Sequence, residues 1–331
     1  MEMRRFGSTG LNLSLLGFGC GAVGGLMVRG APGDQERAIA RAIEAGVNYF
    51  DTAVQYGNGA SEENLGRVLA KLKPVNAVVG TKVRLAPADF GRIGEAATRS
   101  LEGSLRRLGL ERVDIFHLHN PIAADGPGSL SAQLVLDEVV PAFERLRAQG
   151  KTRFIGITAI GDTAALQKVI DAGAFDSAQI SYNMLNPSAG RALPGSYPAQ
   201  DYGRLLDHAA AAGVGTIGIR VLAGGALAGE AARHPIASPP PEPIGSARSY
   251  DADFERARRL MPLVAEGHAA GLAEAAIRYV IANPAIGTVL VGMANVEQFE
   301  QALAAVNKGP LSPAALQRVQ MLQQAFCGER R

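Results

Sequence analysis

Val47-Asn48-Tyr49-Phe50-Asp51-Thr52-Ala53-Val54-Gln55-Tyr56-Gly57 is the stretch on which the reading of the fold turns. Val47 to Phe50 is largely apolar and reads as the end of a buried strand. Asp51 stands at its carboxyl edge, and Tyr56 follows in the loop. A carboxylate and a phenol at such an edge are placed for chemistry in any α/β fold. An Asp there also serves as an ordinary helix cap, and this stretch alone does not separate the two.

Outward from it the chain alternates. The predicted strands are Leu15 to Gly19, Val47 to Phe50, Asn76 to Thr81, Val113 to Leu118, Phe154 to Ile157, Ala178 to Ser181, Val214 to Ile219 and Thr288 to Val291. Helical spacing fills Asp34 to Ala45, Ser61 to Leu72 with Ser61 as cap, Asp89 to Leu108, Leu130 to Gln149 with a break near Pro141, Thr163 to Ala172, Tyr202 to Ala212, Gly271 to Asn283 and Val296 to Val306. Short apolar strands separated by amphipathic helices mean parallel strands buried on both faces. Eight such pairs predict a closed (β/α)8 TIM barrel, an α/β fold in a single domain over residues 1–331. Three pieces stand outside the repeat. Arg4 to Ser14 reads as a β-hairpin capping the bottom of the barrel. Gly224 to Tyr250, with Pro239-Pro240-Pro241, is a long loop after the seventh strand. Pro313 to Phe326 reads as an extra C-terminal helix capped by Ser312.

Composition narrows the function class. The 331 residues carry a net charge of +2 and are 47% hydrophobic, as expected of a globular protein with a sizeable core. Lys and Arg are scattered, so no nucleic-acid partner or membrane surface is indicated. No run reaches signal-peptide or membrane-span length, and the expected location is cytoplasmic. Cys20 and Cys327 lie at opposite ends of the chain and define neither a disulfide framework nor a metal site. Nothing in the sequence sets the oligomeric state.

A barrel presents functional side chains at the carboxyl ends of its strands. Asp51 ends the second strand, Lys82 the third and His119 the fourth, with Tyr56 beside them, so the four are predicted to meet at one level of the mouth. A free tyrosine titrates at about 10. A neighbouring ammonium favours the phenolate and makes the phenol a better proton donor. Asp51 would hold Lys82 charged and in place, and His119 would hydrogen-bond a carbonyl oxygen. A tyrosine acid implies an oxygen that becomes an alkoxide, and a carbonyl receiving hydride is the natural case. None of these side chains supplies hydride, so a nicotinamide cofactor is implied. His117, two residues earlier, points to the same face one layer deeper and reads as a hydrogen-bonded core histidine. Gly19-Cys20-Gly21-Ala22-Val23-Gly24-Gly25 is glycine-rich, but no helix follows directly, so it is not read as a Rossmann phosphate loop.

With these residues in view, the sequence resembles the aldo-keto reductase family from the hairpin to the last helix. Phe6-Gly7-Ser8-Thr9-Gly10-Leu11 with Leu16-Gly17-Phe18-Gly19 is similar to the family's opening, and Asp51-Thr52-Ala53 with Tyr56-Gly57 to its first signature. The resemblance implies Tyr56 as proton donor, Lys82 and Asp51 as its electrostatic partners, and His119 as the residue orienting the carbonyl. It also implies a cofactor site formed by Gly19, Cys20, Gly21, Asp51, Thr158, Gln179, Ile219, Arg220, Val221, Leu222, Gly225, Leu227, Gly292, Met293, Ala294, Asn295 and Gln298. Gln179 would bind the carboxamide, and Arg220 to Leu227 would fold over the pyrophosphate. Where the family has Gly-x-Ser-Asn, this chain has Gly156-Ile157-Thr158-Ala159, in which Thr158 keeps a donor and Ala159 does not. Glu230 and Ala294 occupy positions where the family often places Lys or Arg near the 2′-phosphate.

The expected activity is NAD(P)(H)-dependent interconversion of an aldehyde, ketone or sugar hemiacetal with an alcohol, NADP(H) being the preferred cofactor and NAD(H) also accommodated. The opening and the segment Arg220 to Leu227 look closest to the sugar and pyridoxal dehydrogenase branch. Two rivals are a cofactor-binding sensor without turnover and a hydrolase or aldolase that uses Lys82 as a Schiff base. Substrate choice is expected to lie in the loops Gly21 to Met27, Pro121 to Leu130, Met184 to Pro198 and Gly224 to Tyr250.

Overall fold

A computed structural model describes residues 1–230 and 232–329. The hairpin strands are β1 (Met3–Arg5) and β2 (Asn12–Ser14). Eight parallel strands follow: β3 (Leu16–Gly19), β4 (Tyr49–Asp51), β5 (Val78–Val83), β6 (Val113–Leu118), β7 (Thr152–Ala159), β8 (Ser177–Ser181), β9 (Gly215–Ile219) and β10 (Thr288–Gly292). Each pairs with the next in sequence, and β10 pairs back to β3 with Val289 opposite Leu16 and Gly292 opposite Gly19, so the sheet closes. The expected (β/α)8 barrel with its hairpin is the observed architecture.

The strand period of two divides the side chains cleanly. Phe18, Phe50, Val79, Phe116, Ile157 and Ile180 point outward into the layer shared with the helices. That layer is built by helices such as Ile93–Leu108, which buries Ile93, Ala97, Leu101, Leu105 and Leu108 along one stripe. Inward-pointing Tyr49, Val78, Ile115 and Ile217 form a separate apolar cluster with Phe6 and Leu13 of the hairpin. Phe6 thus plugs the bottom of the barrel, and Ser8 N donates to Gly213 O at 2.8 Å to hold it there. Above the plug the same inward columns turn polar: Asp51 follows Tyr49, Lys82 follows Val78 and Gly80, His117 follows Ile115, and Gln179 follows Ser177.

Several boundaries differ from the sequence reading. β5 does not stop at Thr81 but runs to Val83, because Lys82 and Val83 continue the ladder to β6. The helix Ala60–Leu72 begins one residue early. Gly57, Asn58 and Gly59 all take positive φ and turn the chain into it, with Gly59 at the cap and no side-chain capping bond. Ser61 therefore is not the cap. Its hydroxyl donates to Cys20 O at 2.9 Å and bonds Thr52 Oγ at 2.8 Å, tying the ends of β3 and β4 together. The break at Pro141 is a π-turn over Val135–Val139 that precedes the helix Val140–Ala148, as suits a residue with no N–H for the ladder. The predicted helix over residues 202–212 shortens to Leu205–Ala211, because Arg204 is left-handed and Ser188 holds Tyr202 N through its hydroxyl and Arg204 N through its carbonyl. Ser312 caps the final helix Pro313–Gln324 as predicted, accepting from Ala315 N.

Candidate active site

Asp51, Tyr56, Lys82 and His119 meet at the mouth of the barrel. Lys82 Nζ donates to Asp51 Oδ1 at 2.5 Å, to Thr52 O at 2.8 Å and to Tyr56 Oη at 3.2 Å. The three donor hydrogens of the ammonium are therefore all used. His119 stands edge-on to the Tyr56 ring with centroids 6.0 Å apart, and its Nδ1 lies 3.5 Å from Gln55 Oε1.

The four side chains do not rise from one level, as the sequence reading had it. Gly80 lies opposite Asp51 in the ladder, and Lys82 lies opposite His117. Each successive strand is thus staggered upward, as closure of a tilted barrel requires. Lys82 reaches back down to Asp51 along its four-carbon stem, while His119 stands above both. His117 is buried at the level of Lys82, with Nε2 3.0 Å from Ser177 Oγ, and is the hydrogen-bonded core histidine expected.

The electrostatics follow from this burial. The Lys82 side chain has 0% of its surface exposed and that of Asp51 4%, so each ion is kept by the other. Burial works against the ammonium, but Asp51 and the Tyr56 oxygen outweigh it and hold Lys82 above the ordinary lysine value. For Tyr56, Lys82 favours the phenolate as the sequence suggests, but burial outweighs it. Burial raises the phenol above its ordinary value, and Lys82 only offsets part of that rise. The neutral phenol is thereby the resting form. Burial, then Lys82 and Arg84, push His119 down to about 3, so its imidazole is neutral throughout the physiological range. Burial also lowers His117 far below the usual histidine value.

The cofactor residues inferred from sequence fall into three groups. Gln179 and Thr158 join the tetrad directly: Gln179 Nε2 donates to Asp51 Oδ2 at 2.6 Å, and Thr158 Oγ1 donates to Gln179 Oε1 at 3.2 Å. Gly19 ends β3 opposite Asp51, Cys20 is a buried thiol, and Gly21 lies against the Tyr56 ring. The glycine-rich loop itself packs on Met293, with Leu26 N donating to Met293 O at 3.2 Å. A third group comes from the ends of β9 and β10. Ile219 ends β9, and Arg220 to Leu227 runs into a 3-10 turn, Ala223–Ala228, that is kinked where Gly224 and Gly225 take φ of 70° and 113°. Gly292 ends β10, buried Met293 and Ala294 follow, and Asn295 caps the helix Val296–Asn307 by accepting from Gln298 N, while Gln298 Oε1 accepts from Ala294 N.

Sequence reasoning missed four side chains here. Tyr49 donates to Asp51 Oδ2 at 3.0 Å; its spacing of two from Asp51 on one strand was the available signal. Gln55 sits beside His119. Arg233 donates from Nη1 to Gly224 O at 2.8 Å and from Nε to Ser238 O at 2.9 Å. Arg29 donates to Ile236 O and Ala22 O, both at 2.6 Å. Arg29, with Ser238 N donating to Val23 O, straps the long loop after β9 to the loop after β3, while Arg233 ties the long loop to itself. No sequence pattern marks arginines whose partners are backbone carbonyls.

The residues fit a nicotinamide dinucleotide. Arg220 is desolvated enough to lie below the ordinary arginine value, yet its only close partner among the described residues is Glu242 O at 3.2 Å, a carbonyl and not a carboxylate. A partly buried arginine beside kinked glycine backbone, with Asp253 acting on it electrostatically but in no hydrogen bond or ion pair with it, suits a diphosphate. Thr158 and Gln179 present amide and hydroxyl groups beside the tetrad for a carboxamide. Asn183 is committed elsewhere, donating to Arg220 O and accepting from Leu185 N and Asn186 N.

The sequence pattern of the aldo/keto reductase family matches residues 15–324. The chain belongs to this family. It is 32% identical over 315 residues to an L-galactose dehydrogenase of Arabidopsis thaliana, across 93% of this chain and 89% of that one. It is 27% identical over 335 residues to a pyridoxal 4-dehydrogenase of Microbacterium luteolum, across 91% of each. An aldo-keto reductase of Bacillus halodurans, solved in its holo form, shares the fold with a TM-score of 0.73 at 23% identity, across 100% of this chain and 98% of that one. As a member of the aldo/keto reductases, the chain is an NAD(P)-dependent oxidoreductase acting between carbonyl and alcohol. Among the described residues no helix is long and apolar enough to cross a membrane.

Proposed function

We propose that this enzyme interconverts a sugar hemiacetal or small aldehyde with its oxidised or reduced partner, with Tyr56 as general acid and base. The observation that carries this reading is the single ammonium of Lys82 in contact with both Asp51 Oδ1 and Tyr56 Oη. Bound nicotinamide supplies the hydride in reduction and accepts it in oxidation. In reduction the neutral phenol of Tyr56 gives its proton to the carbonyl oxygen as hydride reaches the carbon. The phenolate left behind is stabilised by Lys82, whose charge Asp51 secures. In oxidation Tyr56 takes the hydroxyl proton back. His119, neutral and above the phenol, hydrogen-bonds the reacting oxygen or a neighbouring hydroxyl and moves no proton of its own.

The relatives named L-galactose dehydrogenase and pyridoxal 4-dehydrogenase, with a D-threo-aldose 1-dehydrogenase 31% identical over 215 residues, support a polar carbonyl or hemiacetal substrate. Arg29, Arg220 and Arg233 near the long loop support acceptance of both nicotinamides with NADP(H) the better, since the extra phosphate adds about two negative charges. A panel of aldoses, aldehydes and alcohols, run in both directions with both nicotinamides, tests the proposal. Turnover of sugars or small aldehydes is the expected result, and cofactor binding without turnover on any of them overturns it.

A further inference from the structure

Tyr49 shares an inward column with Asp51. Its ring lies in the apolar plug with Phe6, Leu13, Ile115 and Ile217, and its hydroxyl rises to donate to Asp51 Oδ2 at 3.0 Å. The slot for this phenol is cut from both neighbouring strands. A Cβ on Gly80 of β5 would lie 2.6 Å from the hydroxyl, and one on Gly17 of β3 would lie 3.0 Å from Cδ1 of the ring. Tyr49 has no exposed surface. Oδ2 accepts two hydrogen bonds, from Tyr49 and from Gln179, while Oδ1 accepts from Lys82. The two donors on Oδ2 differ in kind. Tyr49 is fixed by the walls of its slot, whereas Gln179 ends an unbranched side chain with one more rotatable torsion, at the mouth.

We propose that Tyr49 is a positioning residue, whose hydroxyl fixes the Asp51 carboxylate and draws part of its charge away from Lys82, so that the ammonium acts more fully on Tyr56. The inference rests on the assignment of Tyr56 made above. Physically, Asp51 has two opposed effects on the Tyr56 phenol. It secures Lys82, which favours the phenolate, and its own charge disfavours the phenolate. A hydrogen bond into Oδ2 spreads the carboxylate charge and weakens the second effect without releasing Lys82. Besides Lys82 and Asp51, the groups that face Tyr56 are Cys20 after β3, neutral His119 after β6 and Arg220 after β9, and none of them touches Tyr49.

The test places a fluorinated tyrosine at position 56 alone, which brings its ionisation into the range where the protein is folded, and titrates it by fluorine resonance without cofactor. Tyr49→Phe should move this ionisation upward by about half a unit to one unit, a part of the roughly one to two units that a hydrogen bond made directly to a charged group is worth, since the lost bond is to Asp51 and acts on Tyr56 from there. Alcohol oxidation at neutral pH should fall about three- to tenfold with KM unchanged, as such a shift implies. Gly80→Ala pushes a methyl group against the hydroxyl and should shift the ionisation the same way. Combined with Tyr49→Phe it should add nothing, because no hydroxyl remains to displace. Unmoved ionisation in both single variants overturns the proposal, and so does a Gly80→Ala shift that persists in the Tyr49→Phe background. Tyr56→Phe with undiminished kcat instead overturns the assignment of Tyr56, and the titration still decides whether Tyr49 governs that phenol.

Discussion

The carboxyl ends of β4, β5 and β6 and the loop after β9 treat charge in opposite ways. In the first, the ions at the mouth are buried with their partners: Lys82 on Asp51, and Asp51 on Tyr49 and Gln179 as well. In the second, Arg29, Arg220 and Arg233 donate to backbone carbonyls, and none has a carboxylate partner among the described residues. A closed set of charges is complete before any ligand arrives and can shape reactivity through small shifts in proton affinity. An open set is completed only by an anion from outside, so it governs affinity. Chemistry and cofactor binding are thus separable in this molecule, and substitutions in one region should leave the other's observable intact.

The largest expected effect is that of Tyr56→Phe. It should lower kcat by roughly 10²–10⁴, the range of general acid catalysis, with cofactor affinity unchanged by fluorescence titration. A parallel loss of affinity would break the separation. Lys82→Met leaves Asp51 buried without its counter-ion and should cost about 3–5 kcal/mol of folding stability in urea denaturation, besides turnover. Stability equal to the parent's would show that the pair is not closed as described. Arg220→Ala is the converse experiment. Loss of a guanidinium from a diphosphate should weaken cofactor binding by about ten- to a hundredfold, in line with roughly 1.5–3 kcal/mol for hydrogen bonds to charged groups, and should flatten its salt dependence. At saturating cofactor kcat should hold, and a fall in kcat there would link the two regions.

Two smaller effects sharpen the picture. With His119 pushed down to about 3 and Tyr56 raised above the ordinary phenol value of about 10, carbonyl reduction should show a flat kcat from about pH 5 to about pH 10 and fall only above, where the phenol proton is lost. An acid limb abolished by His119→Gln would show that the imidazole titrates after all. The same histidines bear on stability. In the unfolded chain they take up a proton near 6.5, while in the fold both stay neutral, so stability is lost as pH falls through the unfolded value. Melting temperature should therefore drop between about pH 7 and pH 5, and His119→Gln should reduce that slope. Glu230→Lys, at an exposed position, should move the preference towards NADP(H) by no more than a fewfold, read as the ratio of the two dissociation constants. An unchanged ratio removes Glu230 from the 2′-phosphate region.

Legibility in the sequence followed the same division. The strand and helix periods gave the barrel, and strand-end residues gave the tetrad, because both are written in spacing. Stagger between strands is not written there, so Asp51, Lys82 and His119 were placed at one level when the register lifts each above the last. Tyr49 reads as part of an apolar run because its ring is apolar; its spacing of two from Asp51 puts both on one face, and the fold adds that its hydroxyl meets Asp51. Ser61 has the look of a cap, but three positive φ values ahead of the helix made that role unnecessary. The course of the loop after β9 stayed illegible, since arginine-to-carbonyl bonds carry no periodicity.

Closure of the sheet through β10 and β3 has a consequence in time. The two strands that meet, Thr288–Gly292 and Leu16–Gly19, lie near opposite ends of the chain. A nascent polypeptide therefore exposes the free edge of β3 throughout its synthesis and can cover it only when the last strand emerges. Contacts of such long sequence separation make folding slow, and an open strand edge is a template for wrong pairing. The two-stranded hairpin ahead of β3 can form first, but its Phe6 has no finished barrel to plug until then. Cells making this enzyme thus carry, for most of each round of translation, a chain whose hazard is its unclosed rim.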